Sequence, residues 1–577
     1  MAPLIRNGET TRAKVLVPEK LSPDGLALLK SSLDVDERKG LSADGLLSII
    51  PDYEALLVRS ETKVTASLLQ AARKLKVVAR AGVGVDNIDV EAATKHGIVV
   101  VNSPSGNIGA AAEHTIALLM SMARNIPDAC SSLKSSRWER SRLVGVEVHG
   151  KTLGIIGLGK VGLIVARLAK GLGMKVNAVD PYASSAVAES ASVVLMPSLS
   201  ALLPTADFLT IHTPLIASTK GMISTAELAQ MKPGSRILNV ARGGTVDEEA
   251  LLAALESGHI AGAAIDVFAT EPPSADSTSA RLIAHPRVIP TPHLGASTVE
   301  AQENVSIDVC EQILQILNGA LPRSAVNAPL ILPEEYKKLQ PFVRLVEKLG
   351  SIYIQHYGSA KHPPSNRTSF DLIYEGEISG MNNTKPLFAA LIKGLTSPIS
   401  NTAGLNVNIV NAELVARERG IIVNEKHSRD IPSHSYSSLI TLIARTAKKP
   451  AGEADSDPPA HEDDQIISGT CSESQPLISR LDRFATSFVP EGTLLICHNF
   501  DSPGKIGVVG SILGKEGVNI NFMSVAPISK GKQQGANENR VSDEALMILG
   551  VDKAVDESVA KALVHEGGVL SASVVSL

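Results

Sequence analysis

The stretch Lys151 to Asp180, KTLGIIGLGKVGLIVARLAKGLGMKVNAVD, constrains this chain more than any other. Its opening segment, TLGII, is an unbroken apolar and β-branched run that suits a strand buried on both faces of a parallel sheet. The turn GLGKVG follows at once. Gly157 permits a tight turn, Gly159 lets a pyrophosphate approach the backbone, and Gly162 lets the following helix pack closely on the strand. The free N–H groups of that helix then face the phosphates. Asp180 closes the second strand, KVNAVD, eighteen positions after Gly162. A carboxylate there accepts ribose hydroxyls and repels a 2′-phosphate, so the unit is expected to bind NAD rather than NADP.

The remainder of the chain must be organised around such a unit. At 577 residues and 44% hydrophobic composition it has room for several cores, about four domains. Its 55 basic and 60 acidic residues nearly cancel, which points to neither nucleic acid nor a membrane surface as partner. Cys130, Cys310, Cys471 and Cys497 are scattered without a CxxC pair, so a reducing compartment, the cytoplasm, is expected and no metal site is read. The N-terminal MAPLIRNGETTRAK has no apolar core of signal-peptide length, and TIALLMSMA is too short to span a bilayer.

From Ala13 onward KVLV, ALLV, KVVAR and IVVVN read as strands alternating with the helical runs LSPDGLALLKSS and TASLLQAARK, a first α/β unit. Arg59 lies just past ALLV and Arg80 ends KVVAR; side chains at such strand ends face the ligand crevice. Asn107 to Arg124 is an alanine-rich helix without a clean polar face, expected to be buried between units. After the glycine turn, FLTIH, RILNVA, IAGAAIDVF and RVIPTPH continue the strand–helix alternation of a doubly wound sheet.

Three loops after those strands hold the polar residues suited to chemistry. Arg242 in VARGG can grip a carboxylate bidentately. Glu271 precedes a proline pair in IDVFATEPP, and His293 stands in TPHLGAST. Removing a hydride from a secondary alcohol requires the hydroxyl proton to leave too, and histidine titrates in the range for that task. A carboxylate beside the imidazole orients it and stabilises its charged form. His212 in TIHTP reads as a loop histidine near the cofactor, while Asp207 and Asp266 occupy similar neighbourhoods, Asp266 at the end of AAID having the stronger case.

RAGVGVDN, GLGKVG with Asp180, HTP, VARGG, EPP and TPHLGAST, in this order and spacing, resemble the D-2-hydroxyacid dehydrogenase family. RSETKV and NSPSGN narrow the likeness to its branch acting on 3-phosphoglycerate. The resemblance implies Arg242, Glu271 and His293 as the catalytic group. It also implies cofactor contacts at Val83, Gly157, Gly159, Lys160, Val161, Gly162, Asp180, Thr213, Val240, Ala241, Arg242, Asp266 and His293, Leu294, Gly295 and Ala296. Arg59, Ser60, Arg80, Asn107 and Arg242 match substrate-binding positions. A flavodoxin-like substrate domain (1–108 with 299–325) would then be interrupted by a Rossmann-type NAD domain (109–298), in a homo-oligomer, either dimer or tetramer. Two alternatives stay open: a dehydrogenase for another D-2-hydroxyacid, and an NAD-sensing corepressor-like binding protein.

About 250 residues follow AVNAPLI. Glu335 to His356 reads as a helix, TSFDLIYEG as a strand and NTAGLNVNIVNAELVARERG as turn, strand and helix, an α/β unit over 326–490 that resembles the family's intervening domain. Within it, the acidic, proline-containing run near 449–465 predicts a disordered insertion. From 491 the order strand, helix, strand, strand, helix, strand is ferredoxin-like and resembles an ACT domain, which binds amino acids between paired copies. That likeness implies Asn499, Asp501 and Asn519 as effector positions, with serine the candidate ligand. The family usually has histidine or tyrosine two positions before Asp501, where this chain has Asn499, and His498 falls one position early.

Overall fold

The computed structural model describes residues 12–358, 367–403, 406–428, 436–445, 464–527 and 544–577. The first sheet comprises β1 (Lys14–Val17), β2 (Asp34–Glu37), β3 (Ala55–Val58), β4 (Val77–Arg80) and β5 (Val99–Asn102), all parallel in the order β2-β1-β3-β4-β5. This is the flavodoxin-like order. Strand β2, DVDE, is absent from the sequence reading because an edge strand needs no continuous apolar run. The helix Val299–Leu317 returns to this sheet. Val305, Val309, Cys310 and Ile313 share a core with Val15, Val17, Leu57 and Val101.

The second sheet is wholly parallel. Its strands are β6 (Thr152–Ile156), β7 (Lys175–Val179), β8 (Val194–Leu195), β9 (Phe208–Ile211), β10 (Ser235–Asn239), β11 (Ile260–Ile265) and β12 (Val288–Pro290). They lie in the order β12-β11-β10-β9-β6-β7-β8, the doubly wound arrangement in which chain direction across the sheet reverses beside β6. The turn after β6 therefore sits at the switch point where such sheets bind ligands. The helix Ile108–Ala123 covers one face through Ala112, Leu119 and Met122, as its lack of a polar face predicts.

The third sheet is mixed. β13 (Ser369–Gly376), β14 (Ile422–Ser428), β15 (Ser438–Ala444), β16 (Gln465–Ser472), β17 (Gln475–Leu481) and β18 (Phe484–Phe488) lie in the order β14-β13-β15-β16-β17-β18. The helices Pro333–Tyr357 and Lys385–Ala403 belong to the same unit. The strand expected within NVNIV is instead a turn. Asn411 Oδ1 accepts from Asn408 N at 2.9 Å, and Asn408 Oδ1 accepts from Val410 N at 2.9 Å, so asparagine side chains take the backbone groups a strand would need. The predicted insertion lies outside the described residues over 449–463. Asp464 and Gln465, which the reading included, are ordered: Asp464 meets Arg445 Nη1 at 2.9 Å and Gln465 opens β16.

The last sheet, β19 (Thr493–Phe500), β20 (Ile520–Pro527), β21 (Glu544–Val551) and β22 (Ser571–Ser576), is antiparallel in the order β20-β21-β19-β22, with helices Lys505–Lys515 and Glu557–His565. That is the ferredoxin-like order. Leu494, Ile496, Leu546, Ile548 and Val575 join one apolar core with Leu345, Leu349, Tyr374 and Leu442 of the preceding unit.

At the glycine turn, Gly157 has φ +93°, and a Cβ at Gly162 would collide with the Gly157 carbonyl. Gly162→Ala is therefore expected to lower the stability of this unit by about 1–3 kcal/mol, read as a lower urea midpoint. Gly159→Ala, whose added carbon meets nothing within 4 Å, should leave that midpoint unchanged.

Candidate active site

The carboxyl ends of β1, β3 and β4 and those of β6, β9, β10 and β11 supply the loops of one crevice. The glycine turn is preorganised by Asp180, whose Oδ2 accepts from Leu158 N at 2.8 Å while Oδ1 accepts from Tyr182 N at 2.7 Å. The space beside Gly159 is open. Lys160, at the start of helix Lys160–Gly171 and just before Val161, donates from Nζ to Ser105 Oγ at 2.8 Å and so ties the turn to the first unit. Thr213 Oγ1 is buried without a hydrogen-bond partner, as expected of a group that awaits a ligand.

Opposite the turn, Glu271 and His293 are in direct contact. His293 Nδ1 lies 2.7 Å from Glu271 Oε2, and Phe268 N donates to Glu271 Oε1 at 2.9 Å. Burial alone would raise the Glu271 carboxyl, but the hydrogen bonds from His293 and Phe268 outweigh it and hold it below the ordinary glutamate value. Nδ1 therefore carries its proton toward Glu271, leaving Nε2 to accept one. Phe268, Pro272, Ile283, Pro292 and the pair itself border a cavity of about 430 Å³. His293 has φ +53°, in the left-handed region where histidine is enriched, and its N–H donates to Asp266 O at 2.9 Å.

Asp266 is fully buried beneath that loop. Its Oδ1 accepts from Thr291 Oγ1 at 2.6 Å and Leu294 N at 2.7 Å, and Oδ2 accepts from Gly295 N at 2.8 Å. Asp266, expected at the cofactor, holds Leu294 and Gly295 of the loop that is expected there too. His114, which the sequence reading passes over as part of an alanine-rich helix, lies 3.3 Å from Asp266 Oδ1. Nothing marks it in sequence, where it stands between Glu113 and Thr115.

Arg242 follows β10. A Cβ on Gly243 would strike the Phe268 carbonyl, so glycine there lets the arginine loop close on the glutamate loop. Asn239 fastens this loop, donating from Nδ2 to Arg242 O at 2.9 Å and accepting from Ala241 N at 3.1 Å. Val240, also expected at the cofactor, is nearly buried. Arg242 Nε lies 3.4 Å from Asp86 Oδ2, across the crevice in the loop after β4. Arg80 donates from Nε to Arg59 O at 3.2 Å and from Nη1 to Gly84 O. Burial and the neighbouring Arg242 guanidinium pull Arg80 below the ordinary arginine value. Arg59, Arg80 and Arg242 thus converge, with Ser60 and Val83 exposed beside them and Asn107 at the N-terminus of helix Ile108–Ala123.

Two further candidates fall elsewhere. Asp207 lies at the amino end of β9, where it accepts from Thr152 N at 2.8 Å and Lys232 Nζ at 2.9 Å, at the opposite edge from the crevice. His212 is half-buried, its Nε2 3.1 Å from Thr210 Oγ1, and the surrounding protein pushes it down to about 4, so it stays neutral. The effector positions do not assemble within one chain. Asn499 pairs with Ala545 on β21, whereas Asn519 precedes the pairing of Ile520 with Val551, which puts it about 20 Å away at the strand rise. Asn499 is buried with Oδ1 unpartnered, and Asp501 follows β19 on the exposed surface. No helix among the described residues is long and apolar enough to cross a membrane.

Crevice, glycine turn and imidazole–carboxylate pair are those of a dehydrogenase acting on hydroxyacids. Residues 116–295 match the family described as D-isomer specific 2-hydroxyacid dehydrogenase, NAD binding domain, and residues 338–454 match the D-3-phosphoglycerate dehydrogenase intervening domain. The chain is 43% identical over 566 residues to D-3-phosphoglycerate dehydrogenase 2, chloroplastic, of Arabidopsis thaliana, covering 98% of this chain and 86% of that protein. It is 41% identical to D-3-phosphoglycerate dehydrogenase of Synechocystis (98% and 95% covered) and 40% to that of Methanocaldococcus jannaschii (98% and 100%). Among solved structures, the TT0316 protein from Thermus thermophilus matches with a TM-score of 0.50 at 33% identity, covering 54% of this chain and 99% of that one. The chain belongs to the D-3-phosphoglycerate dehydrogenase family, in its long form with the intervening domain.

Because its hydrogen bonds hold Asp266 below the ordinary aspartate value against burial, its contribution to stability is fully present above the unfolded aspartate pKa and is lost as pH falls through the lower folded value. Asp266→Asn is expected to flatten the loss of stability below about pH 4, measured by urea unfolding across an acid pH series.

Proposed function

We propose that this chain oxidises the 2-hydroxyl of 3-phosphoglycerate to the ketone of 3-phosphohydroxypyruvate with NAD, the first step of phosphorylated serine biosynthesis. The observation that carries the reading is the 2.7 Å contact between His293 and Glu271, set in the same crevice as Arg242. The open backbone beside Gly159 and the unpartnered Thr213 Oγ1 fit a dinucleotide, and Gly157, Gly159, Lys160, Val161, Gly162, Asp180 and Thr213 would hold it. When bound, NAD supplies the hydride acceptor.

The chain's own residues do the rest. Arg242 holds the substrate carboxylate and fixes the face of C2, and Arg59, Ser60 and Arg80, with Asn107 nearby, bind the phosphate end. His293 Nε2 takes the hydroxyl proton as the C2 hydrogen leaves, and Glu271 stabilises the imidazolium that results. Both rival readings are weakened by relatives named D-3-phosphoglycerate dehydrogenase along 98% of the chain. In this reading residues 1–108 with 299–325 form the substrate domain, 109–298 the cofactor domain, 326–490 the intervening domain and 491–577 an ACT domain.

The chain would work as a homo-oligomer. A second copy related by two-fold symmetry can bring its Asn519 to Asn499 and Asp501 of the first, completing a site for an amino acid such as serine. Four free cysteines, two of them buried, suit a reducing compartment, the cytoplasm.

His293→Ala is expected to lower kcat by about a hundredfold or more with NAD affinity nearly intact; steady-state NADH formation from 3-phosphoglycerate checks it, and retained turnover refutes the role. Asp180→Ala should raise the KM for NAD and admit NADP, and an unchanged cofactor preference would mean another group reads the ribose.

A further inference from the structure

We propose that Glu19 is a positioning residue for substrate recognition, clamping the loop that presents Arg59 and Ser60. Glu19 follows β1, the strand next to β3, and is 7% exposed. Its Oε1 accepts from Arg59 N at 3.0 Å and from Thr62 N at 2.9 Å, and its Oε2 accepts from Glu61 N at 3.2 Å. Three backbone N–H groups of one loop thus converge on a single carboxylate. The loop's carbonyls are held from the other side. Asn87 Nδ2 donates to Arg59 O at 2.9 Å and to Thr62 O at 2.7 Å, and Arg80 Nε adds its own bond to Arg59 O.

Convergent N–H groups of this kind form a concavity that binds anions. With Glu19 seated in it, the concavity is filled from within the protein, and the guanidinium groups are left to meet an anionic substrate. The loop backbone is also locked on both faces, so Arg59 and Ser60 reach the crevice without an ordering cost at each binding event. A buried carboxylate is costly unless its oxygens are hydrogen-bonded, and these three bonds satisfy that condition. Glu19 itself touches neither the imidazole–carboxylate pair nor the glycine turn, so its effect belongs to substrate binding rather than to proton transfer or NAD.

The inference rests on the assignment of Arg59 to the substrate. Glu19→Ala, Glu19→Gln, Arg59→Ala and the double variant Glu19→Ala/Arg59→Ala are compared in the full-length enzyme with 3-phosphoglycerate and NAD. Glu19→Ala is expected to raise the KM for 3-phosphoglycerate by roughly tenfold, with kcat within about twofold and the KM for NAD unchanged. Glu19→Gln keeps a carbonyl for two of the three N–H groups and should fall between. Formate, small enough for the emptied concavity, should lower the raised KM of Glu19→Ala and leave the wild type unaffected. In the double variant the KM should rise by well under the product of the two single effects, because the clamp acts chiefly through Arg59 and leaves only Ser60 to lose. A KM that stays at the wild-type value in Glu19→Ala, or additive effects in the double variant, overturns the clamp while leaving Arg59 in place. An Arg59→Ala enzyme with unchanged KM overturns the substrate assignment and the clamp together. A thermal midpoint lowered alongside equal losses in kcat and both KM values assigns Glu19 to stability alone and overturns the proposal as well.

Discussion

The proton-transfer side of the crevice hangs on one buried carboxylate. Asp266 directly follows β11 with its side chain wholly enclosed, and it gathers the Thr291 hydroxyl and the N–H groups of Leu294 and Gly295. Those bonds bend the loop sharply enough that His293 adopts a left-handed backbone, and that bend delivers its imidazole to Glu271. Without the enclosed charge the loop would have unpaired N–H groups and no reason to hold the turn. A general acid–base needs geometry before it needs a suitable pKa, and here the geometry is supplied from underneath.

The acid-binding side is built by the same device in another sheet. Glu19 gathers the backbone N–H groups of Arg59, Glu61 and Thr62 much as Asp266 gathers those of Leu294 and Gly295. Each half of the crevice is thus shaped by a carboxylate set at the carboxyl end of a parallel strand. Two polar contacts bridge the divide among the described residues. Lys160 reaches Ser105, and Arg242 reaches Asp86, while the helix Val299–Leu317 carries the chain back onto the first sheet. Thin polar contacts of this kind leave two lobes free to shift relative to one another.

The carboxyl-terminal half is joined differently. Its two sheets share one apolar core, and the helix Pro333–Tyr357 is bonded to the last strand: Gln355 exchanges two hydrogen bonds with Ser576, and His356 Nδ1 lies 2.6 Å from Ser573 Oγ. The ferredoxin-like sheet is therefore joined to the preceding unit through packed side chains rather than across a solvated hinge. The same packing explains why the sequence reading of this half was coarser. Strand β15 is buried at every position and so shows no alternation, while β17 and β18 hide only a few side chains, such as Ile478, Phe484 and Phe488, among exposed ones.

In the amino-terminal half the sequence by itself determined a great deal. Unbroken apolar runs ending in glycine turns define parallel strands, and the residue just past each run, Arg80, Arg242 or Asp266, lies at the crevice because parallel strands all end on one side. The pairing of Glu271 with His293 was legible as chemistry, since the two residue types suit proton transfer. What only the tertiary structure decided is which polar residues build the site and which face away from it. Asp207 and Asp266 look alike in sequence, yet one directly precedes a strand and binds Lys232 while the other directly follows a strand and shapes a loop. Glu19 and Asp86 gained their places from strand order, His114 from the packing of its helix on the second sheet, and Asn519 was parted from Asn499 by antiparallel pairing. The reason is general: local sequence sets where a side chain sits along its own element, but only the register and order of the elements set which distant polar group it meets.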